Sequence, residues 1–153
     1  MKKTTEQHLA AIENIAIELR HLLKRQPREI RRKVATIANV AHVAQLSFKD
    51  VVIELRTMEE RKDGAYEERN KVVAALAKLF PSGTAKTEIE GWSEDWHGCV
   101  YIDLPTGQVS WHFHDSQAHL FATLPTYSKS WDGHDTEEKY RRLGALPLTH
   151  ATA

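Results

Sequence analysis

The chain has 153 residues, 41% of them apolar and 27% charged, which is typical of one ordinary globular domain or two very small ones. A single cysteine, Cys99, excludes an internal disulfide and falls short of a cysteine-based zinc site. No window approaches the ~18 consecutive apolar residues of a membrane span, and the first residues lack a signal-peptide core. We therefore expect an intracellular protein with no membrane partner.

The net charge is zero, from 21 basic and 21 acidic residues, but the charges are unevenly distributed. Residues 1–62 hold 13 Lys or Arg against 8 Asp or Glu, whereas residues 63–153 hold 8 against 13. The two halves are therefore expected to meet different partners, or to pair with each other between subunits of a homo-oligomer.

Amphipathic patterns with a period of 3.6 residues predict that the first half is helical. The first pattern opens with Thr4 and Gln7 in capping-box spacing. The predicted helices cover residues 5–25, a stretch that begins at Pro27, a stretch opened by Ser47 and Asp50, and residues 66–80.

After Gly83 the period changes from 3.6 to 2, and residues 98–104 and 108–114 alternate around a turn that contains Pro105 and Gly107. This pattern predicts a β-hairpin. Its second strand presents Val109, Trp111 and Phe113 on one face, and Ser110, His112 and His114 on the other. An isolated hairpin is marginal, so it must gain a strand from residues 86–90, pack on helices, or pair with another subunit.

Two short helices are predicted after the hairpin. Asp115 or Ser116 caps the first, and Asp135 and Glu138 frame the start of the second, over residues 136–143. The expected class is α+β: a helical module of three to four helices over residues 1–62, then a hairpin-centred sheet with short C-terminal helices over residues 63–153. The two modules are expected to join near Asp63.

Residues 36–55 resemble the helix-turn-helix of the lactose-repressor class of DNA-binding heads, with Ser47 as the cap of the recognition helix. Gln45 replaces the usual turn glycine, and Val52 and Ile53 stand where base edges call for polar side chains. An interaction-type helical bundle is therefore the favoured alternative. Basic residues that could contact nucleic acid or an acidic partner are Arg25, Arg28, Arg31, Arg32, Lys33 and Lys49.

His112 and His114 lie two residues apart on one strand face, a spacing from which two imidazoles can reach one divalent ion. Further ligands could come from His97, His119, His134, Asp103 and Asp115. Because no second diagnostic pair accompanies the two histidines, we expect no metal, no other cofactor and no assigned catalytic residue. The favoured interpretation is that both histidines lie on a half-exposed sheet face, hydrogen-bonded to nearby carboxylates.

Aromatic residues crowd the second half among carboxylates, which suits contact with arginine-rich protein surfaces. Trp111 is expected in the core because apolar neighbours flank it on its strand face. The residues predicted to contact a ligand or partner are Trp92, Trp96, His112, His114, Trp131 and His134.

Three stretches carry a resemblance to a known family: residues 66–73 (YEERNKVV), 104–112 (LPTGQVSWH) and 131–143 (WDGHDTEEKYRRL). Over residues 66–143 the chain resembles a family of small tailed-phage and prophage proteins. The resemblance implies a phage accessory protein made in the host cytoplasm. It favours a non-enzymatic inhibitor or sponge that binds host defence machinery, as anti-CRISPR proteins do, or captures its nucleotide signals. The alternatives are a helix-turn-helix DNA-binding regulator and a His/Asp metal-dependent hydrolase.

Overall fold

The computed structural model describes residues 4–25, 27–61, 66–87 and 98–147. Its elements, in chain order, are α1 (Thr5–Leu22), α2 (Arg28–Ala44), α3 (Phe48–Glu60), α4 (Tyr66–Leu79), β1 (Thr84–Thr87), β2 (Gly98–Leu104), β3 (Gly107–Phe113), a 3₁₀ helix (Asp115–Phe121) and α5 (Thr136–Gly144). The predicted α+β class is confirmed. In this part of the chain no helix is both long and apolar enough to cross a membrane.

Side-chain caps start three helices where the sequence predicts them. Thr4 Oγ1 accepts a hydrogen bond from the backbone N–H of Gln7 at 3.2 Å, and Gln7 Oε1 accepts one from the N–H of Thr4 at 2.9 Å. The same kind of cap starts α3, from Ser47 to Asp50 at 3.1 Å, and α5, from Asp135 to Glu138 at 2.8 Å. These bonds satisfy N–H groups that the first helical turn leaves without a partner.

Two local expectations were wrong. Helix α1 ends at Leu22 rather than at Arg25, because the N–H of Leu23 closes the last turn on the carbonyl of Leu19 and the following residues turn toward α2. The helix after the hairpin is 3₁₀, and His114 occupies the cap position that we expected for Asp115 or Ser116. The N–H of His114 binds the side-chain oxygen of Gln117, and the N–H of Gln117 binds the carbonyl of His114.

The predicted hairpin is confirmed as the antiparallel pair β2–β3, and β1 adds a third antiparallel strand beside β2. The third strand begins two residues earlier than the expected stretch 86–90, whose last three residues lie outside the described part. Gly107 has a φ of +130°, and a Cβ there would meet Arg142 Nε at 2.8 Å. Glycine at the turn is therefore required both by the backbone and by the side chain packed over it.

The core lies between one face of the sheet and the helices. Val100, Ile102, Val109 and Trp111 turn this face toward α4, and Trp111 is 1% exposed, which confirms its expected place in the core. The same hydrophobic cluster extends to buried residues of α2, α3 and α5. The predicted boundary at residues 62–63 lies outside the described residues and stays a prediction, but the described residues on either side of it share this cluster.

Helix α1 packs against α2 and adds little to the core, since Ala16 is its one buried residue among those described. Four of its aliphatic side chains lie at three- and four-residue spacing and remain exposed: Ile12, Ile15, Leu19 and Leu22. This row, called here the α1 stripe, is an apolar helix face without a partner in the described chain.

Candidate functional site

A cavity of about 490 Å³ opens on the sheet face opposite the core. Its floor is formed by neighbouring residues of β2 and β3, where Cys99 pairs with His112 and Tyr101 pairs with Ser110. Its walls come from the end of α3, the start of α4, the segment before α5, and α5 itself. The remaining lining residues are Glu59, Tyr66, Arg69, Trp111, Trp131, His134, Asp135, Thr136 and Lys139. A cavity of this size can take a small molecule.

Three polar side chains form a chain of hydrogen bonds along one wall. Ser110 Oγ lies 2.9 Å from His134 Nε2, and His134 Nδ1 lies 2.7 Å from Asp132 Oδ1. The imidazole is 3% exposed, and it meets the cavity together with the serine. Serine, histidine and carboxylate stand in the order that an activated nucleophile requires.

The segment Trp131–His134, called here the WDGH loop, is held in place from both sides. Gln108 Oε1 accepts from the N–H of Asp132 at 3.2 Å, and Arg142 Nη1 donates to Asp132 Oδ2 at 2.7 Å. Gly133 has a φ of +82°, a backbone conformation that favours glycine. Burial alone would raise the pKa of Asp132, but the hydrogen bonds from His134 and Arg142 lower it to about 2. Asp132 is therefore a carboxylate at neutral pH.

Two cations reach the cavity, Arg69 from α4 and Lys139 from α5. Arg69 is buried and pairs with Glu59 at 3.4 Å, while Lys139 Nζ lies 5.1 Å from the ring centre of Trp111. Burial lowers the pKa of Lys139 to about 8, the charge of Arg69 also lowers it, and Glu59 opposes the change. Burial, followed by the charges of Lys139 and Arg69, also lowers the pKa of His112. The cavity thus holds a positive charge that can be lost just above neutral pH.

The same two cations, together with Arg142, bind the outer edge of the sheet. Arg142 Nη1 donates to the carbonyl of Gln108 at 2.7 Å, Lys139 Nζ to that of Ser110 at 3.2 Å, and Arg69 Nη2 to that of His112 at 2.8 Å. These are alternate residues of β3, whose carbonyls point away from β2. These outward carbonyls of the edge strand β3 therefore accept hydrogen bonds from side chains of α4 and α5.

Aromatic rings flank the mouth of the cavity. Trp131 is 56% exposed and meets His134 edge-on, with ring centres 5.7 Å apart. Tyr66, the first residue of α4, also lines the cavity, with the Arg69 guanidinium 4.6 Å from its ring centre. These rings can stack on a planar ligand group.

Cys99 is not suited to act as a nucleophile in this cavity. Burial raises the pKa of its thiol to about 11, only partly opposed by hydrogen bonds with Tyr101 and Ser110. The thiol is therefore protonated at neutral pH, when thiolate is the reactive form.

The predicted contact residues are only partly brought together. His112, Trp131 and His134 line the cavity. His114 follows the end of β3, at the start of the 3₁₀ helix, and does not line it. Trp92, Trp96 and His97 lie outside the described residues. Within the described part, no group of three or more His, Cys, Asp or Glu side chains could hold a metal ion.

A second cavity, of about 340 Å³, lies between the end of α1 and the start of α2. It is lined by Arg20, Lys24, Arg28, Arg31, Arg32 and Ala35, and is called here the basic groove. Of the predicted cationic contacts, Arg25 does not line it, and Lys33 pairs with Glu29 at 3.5 Å. Lys49 is exposed on the first turn of α3, away from the groove.

The predicted helix-turn-helix corresponds to α2, a short turn and α3. Ser47 caps α3 as expected, and Val51 is fully buried. On the would-be reading helix, Ile53 is 61% exposed and Glu54 pairs with His42 at 3.1 Å. This surface offers little that could hydrogen-bond to base edges.

Sequence patterns missed several residues of the first cavity. Arg69 and Lys139 lie within helical patterns that look like ordinary charged faces, and only packing on the sheet turns them inward. Asp132, which binds His134 but does not itself line the cavity, stands two residues before that histidine, a spacing too common to signal a pair.

A protein-family model described as "WDGH domain" matches residues 53–146. The match covers the cavity and the WDGH loop, and it agrees with the family expected from residues 131–143. No curated protein and no solved structure matches the chain.

Proposed function

The chain belongs to the WDGH domain family, and from that premise we propose that it acts by binding a small anionic ligand with an aromatic ring. The loop with the family's four-letter motif forms a wall of the cavity. The observation that carries the proposal is the joint presence of an exposed tryptophan, Trp131, and a half-buried lysine, Lys139, around one space of about 490 Å³.

Nucleotides are the ligand class that best combines these two features. Base stacking on an aromatic side chain contributes about 1–3 kcal/mol, and an ammonium can bind phosphate. Together with the resemblance to phage proteins, this chemistry supports an accessory role in the host cytoplasm, in which the protein captures a nucleotide signal of a defence system.

Calorimetric titration with nucleoside mono- and diphosphates, and with inorganic phosphate, tests the proposal. We expect a nucleotide to bind, and Trp131→Ala to weaken it roughly tenfold or more, since about 1.4 kcal/mol of lost stacking is a factor of ten. Lys139→Gln should weaken nucleotide and phosphate alike.

Lys71→Gln is the matched control, because Lys71 pairs with Glu68 on the surface of α4 and does not line the cavity. Absence of binding to every probe, or binding that neither cavity variant changes, would contradict the proposal.

A second candidate, contact with nucleic acid, is favoured by the basic groove. Its five cations come from the end of α1 and the start of α2, and no acidic side chain of the described residues lines it. Phosphate backbones bind such surfaces without base-specific contacts. An acidic host protein is the alternative partner for the same surface.

A further inference from the structure

We propose that Ser110 is the nucleophile of a hydrolytic site for carboxylic esters, with His134 as general base and Asp132 as a positioning residue. The inference rests on the proposed function only in that the same cavity receives the ligand, and it adds a chemical step. It uses residues to which the sequence patterns assigned no catalytic role.

The distances place the three side chains in a row, with His134 between Ser110 and Asp132. Ser110 Oγ and His134 Nε2 are 2.9 Å apart at the cavity wall, within the range for proton transfer. Asp132 lies behind the imidazole, 2.7 Å from Nδ1, and does not line the cavity. Nucleophile and base therefore meet the ligand, while the carboxylate stands behind the base, bound to His134 through Oδ1 and to Arg142 through Oδ2.

The hydrogen bonds also select the histidine tautomer. An ionised carboxylate can only accept hydrogen bonds, so His134 Nδ1 must carry the proton that Asp132 Oδ1 accepts. In the neutral imidazole Nε2 then has a lone pair and accepts from the Ser110 hydroxyl. This tautomer is the one that a general base needs.

The reaction proceeds in two steps: transfer of the acyl group to Ser110, and hydrolysis of that acyl group by water. Ser110 Oγ attacks the ester carbonyl carbon as its proton passes to His134 Nε2; the bond to the leaving oxygen breaks, and His134 returns the proton to it as an alcohol. Water then attacks the acyl group on Ser110 and gives a proton to His134. The carboxylic acid leaves, and the proton returns to Ser110.

Lys139 defines the substrate class. Its ammonium is anchored on the carbonyl oxygen of Ser110 at 3.2 Å and lines the cavity beside the nucleophile. A positive charge there favours the negative charge that develops on the carbonyl oxygen, and it favours esters that carry a second, anionic group. The predicted substrates are therefore anionic esters.

Labelling with a fluorophosphonate, followed by peptide mass mapping, tests the nucleophile directly. We expect one adduct on Ser110 in the unmodified chain, none at this site in Ser110→Ala, and an unchanged adduct in the control Ser128→Ala, since Ser128 is exposed outside the cavity. The 4-nitrophenyl monoester of succinic acid should be hydrolysed faster than the butyrate ester. His134→Gln should slow hydrolysis by about a hundredfold.

Asp132→Asn separates positioning from folding. We expect kcat for the succinate ester to fall while KM and nucleotide affinity change little, because the substituted side chain contacts His134 and Arg142 but does not line the cavity. If Ser110 is not labelled while nucleotides bind, the hydrolytic proposal is refuted and the binding proposal stands. If Ser110 is labelled but no nucleotide binds, the binding proposal fails instead. An equal loss of labelling and of thermal stability in Asp132→Asn would overturn its positioning role.

Discussion

Lys139 is an ordinary helical lysine in sequence, but it has an unusual environment in the fold. Its Nζ lies 5.1 Å from the ring centres of both Trp111 and Tyr140 and donates to a carbonyl of β3. Burial disfavours its charged form and lowers its pKa to about 8, with Arg69 and Arg56 acting in the same direction and Glu59 and Cys99 against it. Small changes in pH therefore change the charge of the cavity.

We expect nucleotide affinity to fall roughly tenfold between pH 7 and pH 9. Lys139 is protonated below its pKa of about 8 and neutral above it, so the charge that attracts phosphate disappears as the pH rises. In Lys139→Arg the guanidinium stays charged over this range, and the affinity should be nearly independent of pH. Titrations at pH 7, 8 and 9 measure the nucleotide affinity of the unmodified chain and of Lys139→Arg. The same pH dependence in both would contradict the role of the Lys139 charge.

The candidate site was predictable only in part, for reasons that individual residues show. His112 was selected for its spacing from His114 on one strand face, and His134 as a further polar group in the aromatic and acidic second half; both line the cavity. The partnership of Ser110 with His134 joins residues 24 positions apart, and it depends on how the WDGH loop folds back over β3. No local pattern encodes that return of the chain.

Secondary structure followed the sequence more closely than the site did. Capping pairs and the turn at Gly107 act within a few residues, so they fixed the starts of the helices and the hairpin register. Errors arose where distant contacts take part. The third strand, β1, is set by its pairing with β2, and the 3₁₀ helix is held by Gln117, whose side-chain oxygen also accepts from Asn70 Nδ2, 47 residues away in the chain.

Between α1 and α2, the basic groove should show salt-dependent binding if its partner is nucleic acid. We expect affinity for duplex DNA to fall steeply between 50 and 200 mM salt, and each lost phosphate contact to lower the log–log slope by about one unit. Replacing Arg28, Arg31 and Arg32 by alanine tests this expectation, with the affinity and the slope as the measured quantities. Lys49→Ala is the control, because Lys49 lies outside the groove. Binding that is absent or insensitive to salt would leave an acidic protein as the partner.

On the scale of the whole molecule, the α1 stripe stays exposed among the described residues, and we expect a second copy of the chain as its partner. Helix α1 has an acidic residue in its first turn, Glu6, and basic residues in its last turn, Arg20 and His21. Two antiparallel α1 helices would place each acidic end beside a basic end while burying both stripes.

We therefore expect light scattering to give twice the chain mass of 17.5 kDa for the unmodified protein, and a single chain mass for Ile15→Asp. Ile53→Asp is the matched control, since Ile53 is equally exposed but lies on α3. A monomeric unmodified protein, or a dimeric Ile15→Asp variant, would contradict self-association through this stripe.

The cationic side chains along β3 also affect how the protein behaves when it is crowded. An open strand edge is a template on which another chain can add, and such growth leads to aggregation. Here the outward carbonyls of Gln108, Ser110 and His112 are already occupied by Arg142, Lys139 and Arg69. A foreign strand would have to displace three charged donors, two of which line the cavity. The same side chains that prepare the cavity for a ligand thereby protect the sheet against misassembly.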